Sequence, residues 1–192
     1  MTSASWTPAP PQRQCQPCTA CCDGWVYAQI NEFIVKAGHP CPHSKNHGCD
    51  IYAQRPKVPC QTFVCAWRVE RSPLPDWMRP DESGAIVLLS VPWEGDLVMS
   101  AVPVGAEIPP HTLDWLMAYA RNHQRPLIYF QRLMDKGEFT GLKRLGYGPP
   151  AFRKKVEKMG LKDQDAILNM SGGKTTIWAA SDELQNKSDE NR

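Results

Sequence analysis

The chain has 192 residues, of which 42% are hydrophobic and 22% charged, and a formal net charge of +2. These are ordinary globular values, so they exclude wholesale disorder, and the length suits one domain that buries a real core. The balanced charge, with no dense basic block beyond Arg153-Lys154-Lys155, argues against a nucleic-acid partner. The longest apolar run, 85–91, is too short to span a bilayer.

Residues 1–14 carry Pro8, Pro10 and Pro11 and no apolar segment of the kind that directs secretion, so a disordered arm and a cytoplasmic location are expected. The next stretch holds every cysteine of the protein: Cys15, Cys18, Cys21, Cys22, Cys41, Cys49, Cys60 and Cys65. Cysteines that serve as small hydrophobes are scattered through a core. Crowding eight of them into 15–65 signals chemistry instead. In a reducing compartment that chemistry is metal binding rather than disulfide formation.

Within this stretch Cys15 to Cys22 reads as a tight loop, with Gly24 supplying a turn after it. Residues 25–30 suit a short strand, and 31–36 a helical turn ending at Gly38. Prolines flank Cys41 and make 39–49 irregular; a further helical turn over 51–54 is ended by Pro56. Cys60 and Cys65 would share a face if their segment were helical. Residues 15–70 are therefore expected to be loops held in place by something other than a core.

The remainder of the same domain, 71–181, reads as α+β. A Pro-rich irregular piece over 71–83 leads into a hairpin of 85–91 and 97–104 about Glu94-Gly95-Asp96. A helix is expected over 112–122, with Leu113, Leu116, Met117 and Ala120 on one face, then a strand over 127–131 and a helix over 153–160. The charged stretch 182–192 is expected to be a disordered tail. The expected architecture is a small, irregular, metal-stapled cysteine-rich region packed on a β-hairpin with a few helices.

Thiolates are soft ligands for zinc, copper(I) and iron–sulfur clusters, and eight can complete two four-coordinate sites. The triple C-x2-C-x2-C spacing is used by ferredoxins to hold a 4Fe–4S cluster with a fourth cysteine from elsewhere, whereas a zinc ribbon shows two separate C-x2-C knuckles. Both zinc and iron stay open on spacing alone. Adjacent Cys21 and Cys22 point in different directions, so either they serve different sites or one is buried. His39, His43 and His47 lie nearby; His43, two residues from Cys41, is the foremost candidate ligand, although a surface role is simpler for each. Asp23 and Asp50 are more simply loop caps or groups that support a ligand.

The order Cys15-x2-Cys18-x2-Cys21-Cys22, Pro40-Cys41-Pro42-His43, Gly48-Cys49-Asp50-Ile51-Tyr52, Arg55-Pro56 and Cys60-x2-Phe63-x-Cys65-x-Trp67 resembles the YkgJ-type cysteine-cluster family. The resemblance covers residues 15–67, and Arg79-Pro80-Asp81 is similar as well. Three residues rather than two separate Pro56 from Cys60, a departure that bears on the local geometry at Cys60. The family is described as a zinc- or iron-chelating domain, which implies zinc or iron as cofactor. A similar cluster in flagellin lysine methylase implies an enzyme alternative, S-adenosylmethionine-dependent protein lysine methylation. Gly172-Gly173-Lys174 is too short to count as a nucleotide loop for it.

Redox or electron-transfer chemistry at an iron–sulfur centre is the other enzymatic alternative. Outside the cysteines, its acid–base candidates are His111, Asp114, His123 and Glu138, each more simply a surface or capping residue. A third reading is an interaction module that presents Trp25, Trp67, Trp77 and Trp93 to another protein. The segments 143–147 and 153–155 are basic and could meet an acidic partner, but read more simply as solvated faces.

Overall fold

The computed structural model describes residues 13–45, 47–159, 166–169 and 176–179. The expected tail, the Gly172-Gly173-Lys174 motif and all but two residues of the expected arm lie outside the described residues.

In chain order the elements are β1 (Ala28–Ile30), β2 (Phe33–Val35), β3 (Ser44–Lys45), β4 (Gly48–Cys49), α1 (Pro80–Ser83), β5 (Ala85–Trp93), β6 (Asp96–Pro103) and α2 (Pro110–Asn122). They are followed by β7 (Leu127–Asp135), β8 (Glu138–Tyr147), α3 (Pro150–Met159), β9 (Ala166–Asn169) and β10 (Thr176–Ala179). The class is α+β. Among the described residues no helix is long and apolar enough to cross a membrane.

The central sheet has the order β5-β6-β7-β8, and its middle pair is parallel because α2 carries the chain back across before β7 begins. Both hairpins of this sheet close on two residues at positive φ, Glu94 (50°) and Gly95 (86°), then Lys136 (50°) and Gly137 (87°). That backbone matches the right-handed twist of the strands, so Trp93 pairs with Asp96 and Asp135 with Glu138. The first hairpin is the expected one. The second was not expected: 143–147, read as a solvated basic face, pairs along β8 with β7, Lys143 opposite Gln131 and Arg144 opposite Phe130.

Both faces of this sheet are covered, which is why β5 begins with four consecutive buried residues. Ala85, Val87, Met99, Ala101 and Leu127 pack with Leu116 and Ala120 of α2 and with Ala66, Trp67, Leu74 and Met78. Ile86, Leu88, Val98, Ile128 and Phe130 face the other way, where they meet Phe152 and Val156 of α3 and the cysteine-bearing segment through Ala20, Val26, Ala28, Ile30, Val35 and Cys41. The cysteine stretch is thus a layer on the sheet.

Three local expectations change. Residues 33–35 form a strand and not a helical turn, because Asn31 at φ 54° closes a tight turn and Phe33-Ile34-Val35 then pairs back on β1. Cys60 and Cys65 do not share a helix: Cys60 lies in a turn over Lys57–Gln61, and Cys65 is extended before the turn Ala66–Arg68. Within 71–83 the chain forms a short turn, Asp76–Met78, and then α1, which is closed by Gly84 at φ 71° donating to the Pro80 carbonyl.

Candidate functional site

All eight cysteines are free thiols; Cys41 is buried and the other seven are partly buried. Four segments bring them together. The first runs from Cys15 to Cys22, where the turn Cys21–Trp25 reverses at Gly24. Gly24 has φ 90°, and a Cβ there would lie 2.0 Å from the Lys36 carbonyl oxygen, so this residue lets the cysteine loop and β2 touch through backbone alone. The second segment starts with Cys41, whose amide donates to the Cys22 carbonyl at 2.7 Å. The β3–β4 hairpin then carries the chain back, pairing Ser44 with Cys49.

The Asp23 carboxylate fastens these two segments, accepting from Thr19 Oγ1 at 2.7 Å and Ser44 Oγ at 2.6 Å. Gln16 lies against Gly48 on the same side. The Cys60 turn is held by Arg55, which stacks over Tyr52 at 3.7 Å and donates to the Tyr52 carbonyl at 2.6 Å. Cys65 is held from the start of the stretch. Arg13 donates to the Trp67 carbonyl at 2.7 Å, to the Leu74 carbonyl at 2.7 Å and to the Asp76 carboxylate at 2.8 Å. The Arg132 guanidinium of β7 ties the layer to the sheet, lying over the Trp25 and Phe139 rings and donating to the Trp25 carbonyl at 2.8 Å.

The result is one cleft lined by seven of the eight cysteines, Cys15, Cys18, Cys21, Cys22, Cys41, Cys49 and Cys60, together with His43, Tyr52, Arg55 and Phe63. Cys65 does not line it. Burial, with mutual repulsion behind it, pushes the Cys18 and Cys22 thiols up to about 12 and raises Cys21, Cys60 and Cys65 as well. Backbone amides pull the other way: those of Ala20 and Asp81 on Cys18, and those of Arg68 and Trp67 on Cys65, favour charged sulfur.

Among the described residues, no group of three or more His, Cys, Asp or Glu side chains stands in an arrangement that would itself hold a metal ion. What the structure shows is the convergence of seven thiols on one cleft, not a formed coordination shell. Thiol sulfurs without a cation repel as they ionise, and a bound cation reverses that balance.

His43 lines the cleft, with Nδ1 3.0 Å from the Asp50 carboxylate, so Asp50 orients this ring. His39 instead closes a backbone bridge with Lys36, and His47 is exposed in the β3–β4 turn. The acid–base candidates do not gather at the cleft. His111 stands beside Trp77 and Thr112, and His123 stacks on Tyr119, both at α2 on the opposite side of the sheet. Asp114 is exposed on that helix, and Glu138 is exposed where β8 begins.

The tryptophans do not form one surface. Trp67 and Trp93 are buried, Trp93 in an edge-on contact with Phe152, while Trp25 lies under Arg132 and Trp77 is 37% exposed. The sequence reading missed Arg13 and Arg132, which anchor the layer; an arginine within a Pro-rich or strand segment carries no local signal of such a role.

Comparison with family models, with curated proteins and with solved structures returns no match to this chain. The likeness to the cysteine-cluster family rests on the quoted residues alone.

Proposed function

We propose that the chain is a metal-binding protein whose clustered thiolates hold zinc or an iron–sulfur centre. One observation carries this reading: seven cysteines from three separate stretches, 15–22, 41–49 and 60, converge on a single cleft although no disulfide joins them. Packing alone does not require that, because the layer already has an apolar footing in Val26, Ala28, Ile30 and Val35. The order of the cysteines, similar to that of the YkgJ-type family, supports the same reading. The ion's role on this reading is structural, adding to the hydrogen bonds that already fasten the loops to one another.

The test is purification without oxygen, followed by zinc and iron analysis and a visible spectrum. Stoichiometric zinc in a colourless protein supports a structural site; iron with acid-labile sulfide and a band near 400 nm supports a cluster. Protein that purifies without metal and takes up neither zinc nor iron on reconstitution overturns the reading.

A further inference from the structure

One flank of α2 carries an aromatic ring at every fourth residue: His111, Trp115, Tyr119 and His123. Residues four apart share a helix face, so the rings follow one another along the axis. Trp115 stacks on Tyr119 at 5.3 Å and Tyr119 on His123 at 4.1 Å. Trp77, in the turn Asp76–Met78, extends the row beside His111 at 5.6 Å and meets Trp115 at 6.3 Å, with the two planes 86° apart. The residues that α2 buries are Thr112, Leu116 and Ala120. The rings form a ridge beside that face, with Trp115 and Tyr119 partly buried and Trp77, His111 and His123 exposed.

Arg13 is anchored at the head of this ridge. Its guanidinium lies over the Trp67 ring at 4.9 Å and donates at 2.8 Å to the carboxylate of Asp76, the residue before Trp77. The chain leading into Arg13 reads Trp6-Thr7-Pro8-Ala9-Pro10-Pro11-Gln12 and lies outside the described residues. Pro8-x-x-Pro11 is a P-x-x-P run, the pattern that puts both prolines on one edge of a polyproline II helix, which has three residues per turn. Grooves lined by aromatic rings recognise such segments because the conformer is preformed and loses little entropy on docking. Two indole planes set at right angles, as those of Trp77 and Trp115 are, make a corner able to hold a proline ring. The lengths also agree, since six residues of polyproline II advance about 18 Å, as does α2 from His111 to His123.

We infer that the ridge of Trp77, His111, Trp115, Tyr119 and His123 is the docking surface for this chain's own proline-rich stretch, 6–12, with Arg13 as the anchor that starts it along the ridge. The inference is independent of metal binding. Arg13 also holds the Trp67 carbonyl, so docking steadies the far end of the cysteine stretch.

The experiment places a photoreactive p-benzoylphenylalanine at position 9 of the full-length chain, irradiates it, and maps the adducts by mass spectrometry. Adducts are expected within one chain, on Trp77 or on residues of α2 between His111 and His123. Trp115→Ala is expected to lower their yield about fivefold or more, and Pro8→Gly/Pro11→Gly to do the same. The second variant alters only the docking stretch, so a loss there is not a failure of the sheet or of α2 to fold. Adducts spread over other surfaces, adducts that join isotopically light to heavy chains, no adduct at all, or a yield unchanged in Pro8→Gly/Pro11→Gly would each overturn the inference.

Discussion

The amide of Cys41 and the carbonyl of Cys22 meet at 2.7 Å, which places two cysteines 19 positions apart in the chain side by side. The contact is backbone to backbone and leaves both thiols available. Asp23, next in sequence, secures it by accepting from Ser44. The cysteine loop and the β3–β4 hairpin therefore behave as one unit, and its weak points can be named.

Gly24 is the first. At φ 90°, with the Lys36 carbonyl oxygen 2.0 Å from where a Cβ would stand, Gly24→Ala combines left-handed strain with a backbone clash. A loss of at least about 2 kcal/mol is expected. Gly95→Ala is the control, since its φ of 86° carries strain but nothing lies within 4 Å of its Cβ; a cost of about 1–2 kcal/mol is expected there. Denaturant unfolding reads both, and equal small losses would mean that the close approach at Gly24 does not matter.

Arg13 gives a contrast between two of its own contacts. Arg13→Ala leaves the partly buried carbonyls of Trp67 and Leu74 without their donor, a cost of about 1–3 kcal/mol. Asp76→Asn removes only an ion-pair partner whose side chain is 93% exposed, and is expected to stay within about 0.5 kcal/mol of wild type. If Asp76→Asn matched Arg13→Ala, the ion pair and not the carbonyl clamp would be holding the segment.

Leu116→Ala separates the two faces of the sheet. Leu116 is fully buried against the α2 side, away from the cysteine layer, so about 2–5 kcal/mol of stability is expected to go. On the metal-binding reading, metal per folded chain stays at the wild-type value. A variant that lost metal in step with stability would show that the layer depends on the far side of the core.

Proton release follows from thiols held neutral. Burial raises Cys18 and Cys22 from 9.0 to about 12, so at pH 7 these sulfurs carry protons that a bound cation must expel. Lowering the pH raises the concentration of the expelled species and so opposes binding. On the metal-binding reading, metal affinity is expected to fall as pH drops from 8 to 6, with up to about four protons released for an ion held by four thiolates. Calorimetric titration in buffers of different ionisation heat measures this, and an affinity that did not change with pH would rule out neutral thiols as the ligand source.

On the metal-binding reading, removing metal with a chelator is expected to expose 15–67 to protease before the β5–β8 sheet is cut, because the sheet has its own core on the α2 side. Cleavage that began in the sheet, or resistance unaffected by chelation, would show that the layer stands without an ion.

Local pattern carried several parts of the fold. The Glu94-Gly95 turn between two β-branched runs specified one hairpin, and apolar positions at helical spacing specified α2, because both signals depend only on residues close in the chain. The same rule applies at Lys136-Gly137, a turn the sequence reading did not include. Strand β2 was missed because three residues after an asparagine turn carry too little periodicity to separate strand from helix.

By itself the sequence determined the donor inventory: eight thiols within 51 residues, set among prolines and glycines that leave them in loops. Only the tertiary structure decided which of those thiols are neighbours. Spacing settles contacts between residues a few positions apart, whereas Cys65 is brought to Cys15 by the clamp of Arg13 on Trp67, and Cys41 to Cys22 by one backbone hydrogen bond. Those meetings depend on the layer being seated on Ile86, Leu88 and Val98 of the sheet, a surface built from residues far along the chain that no local pattern can anticipate.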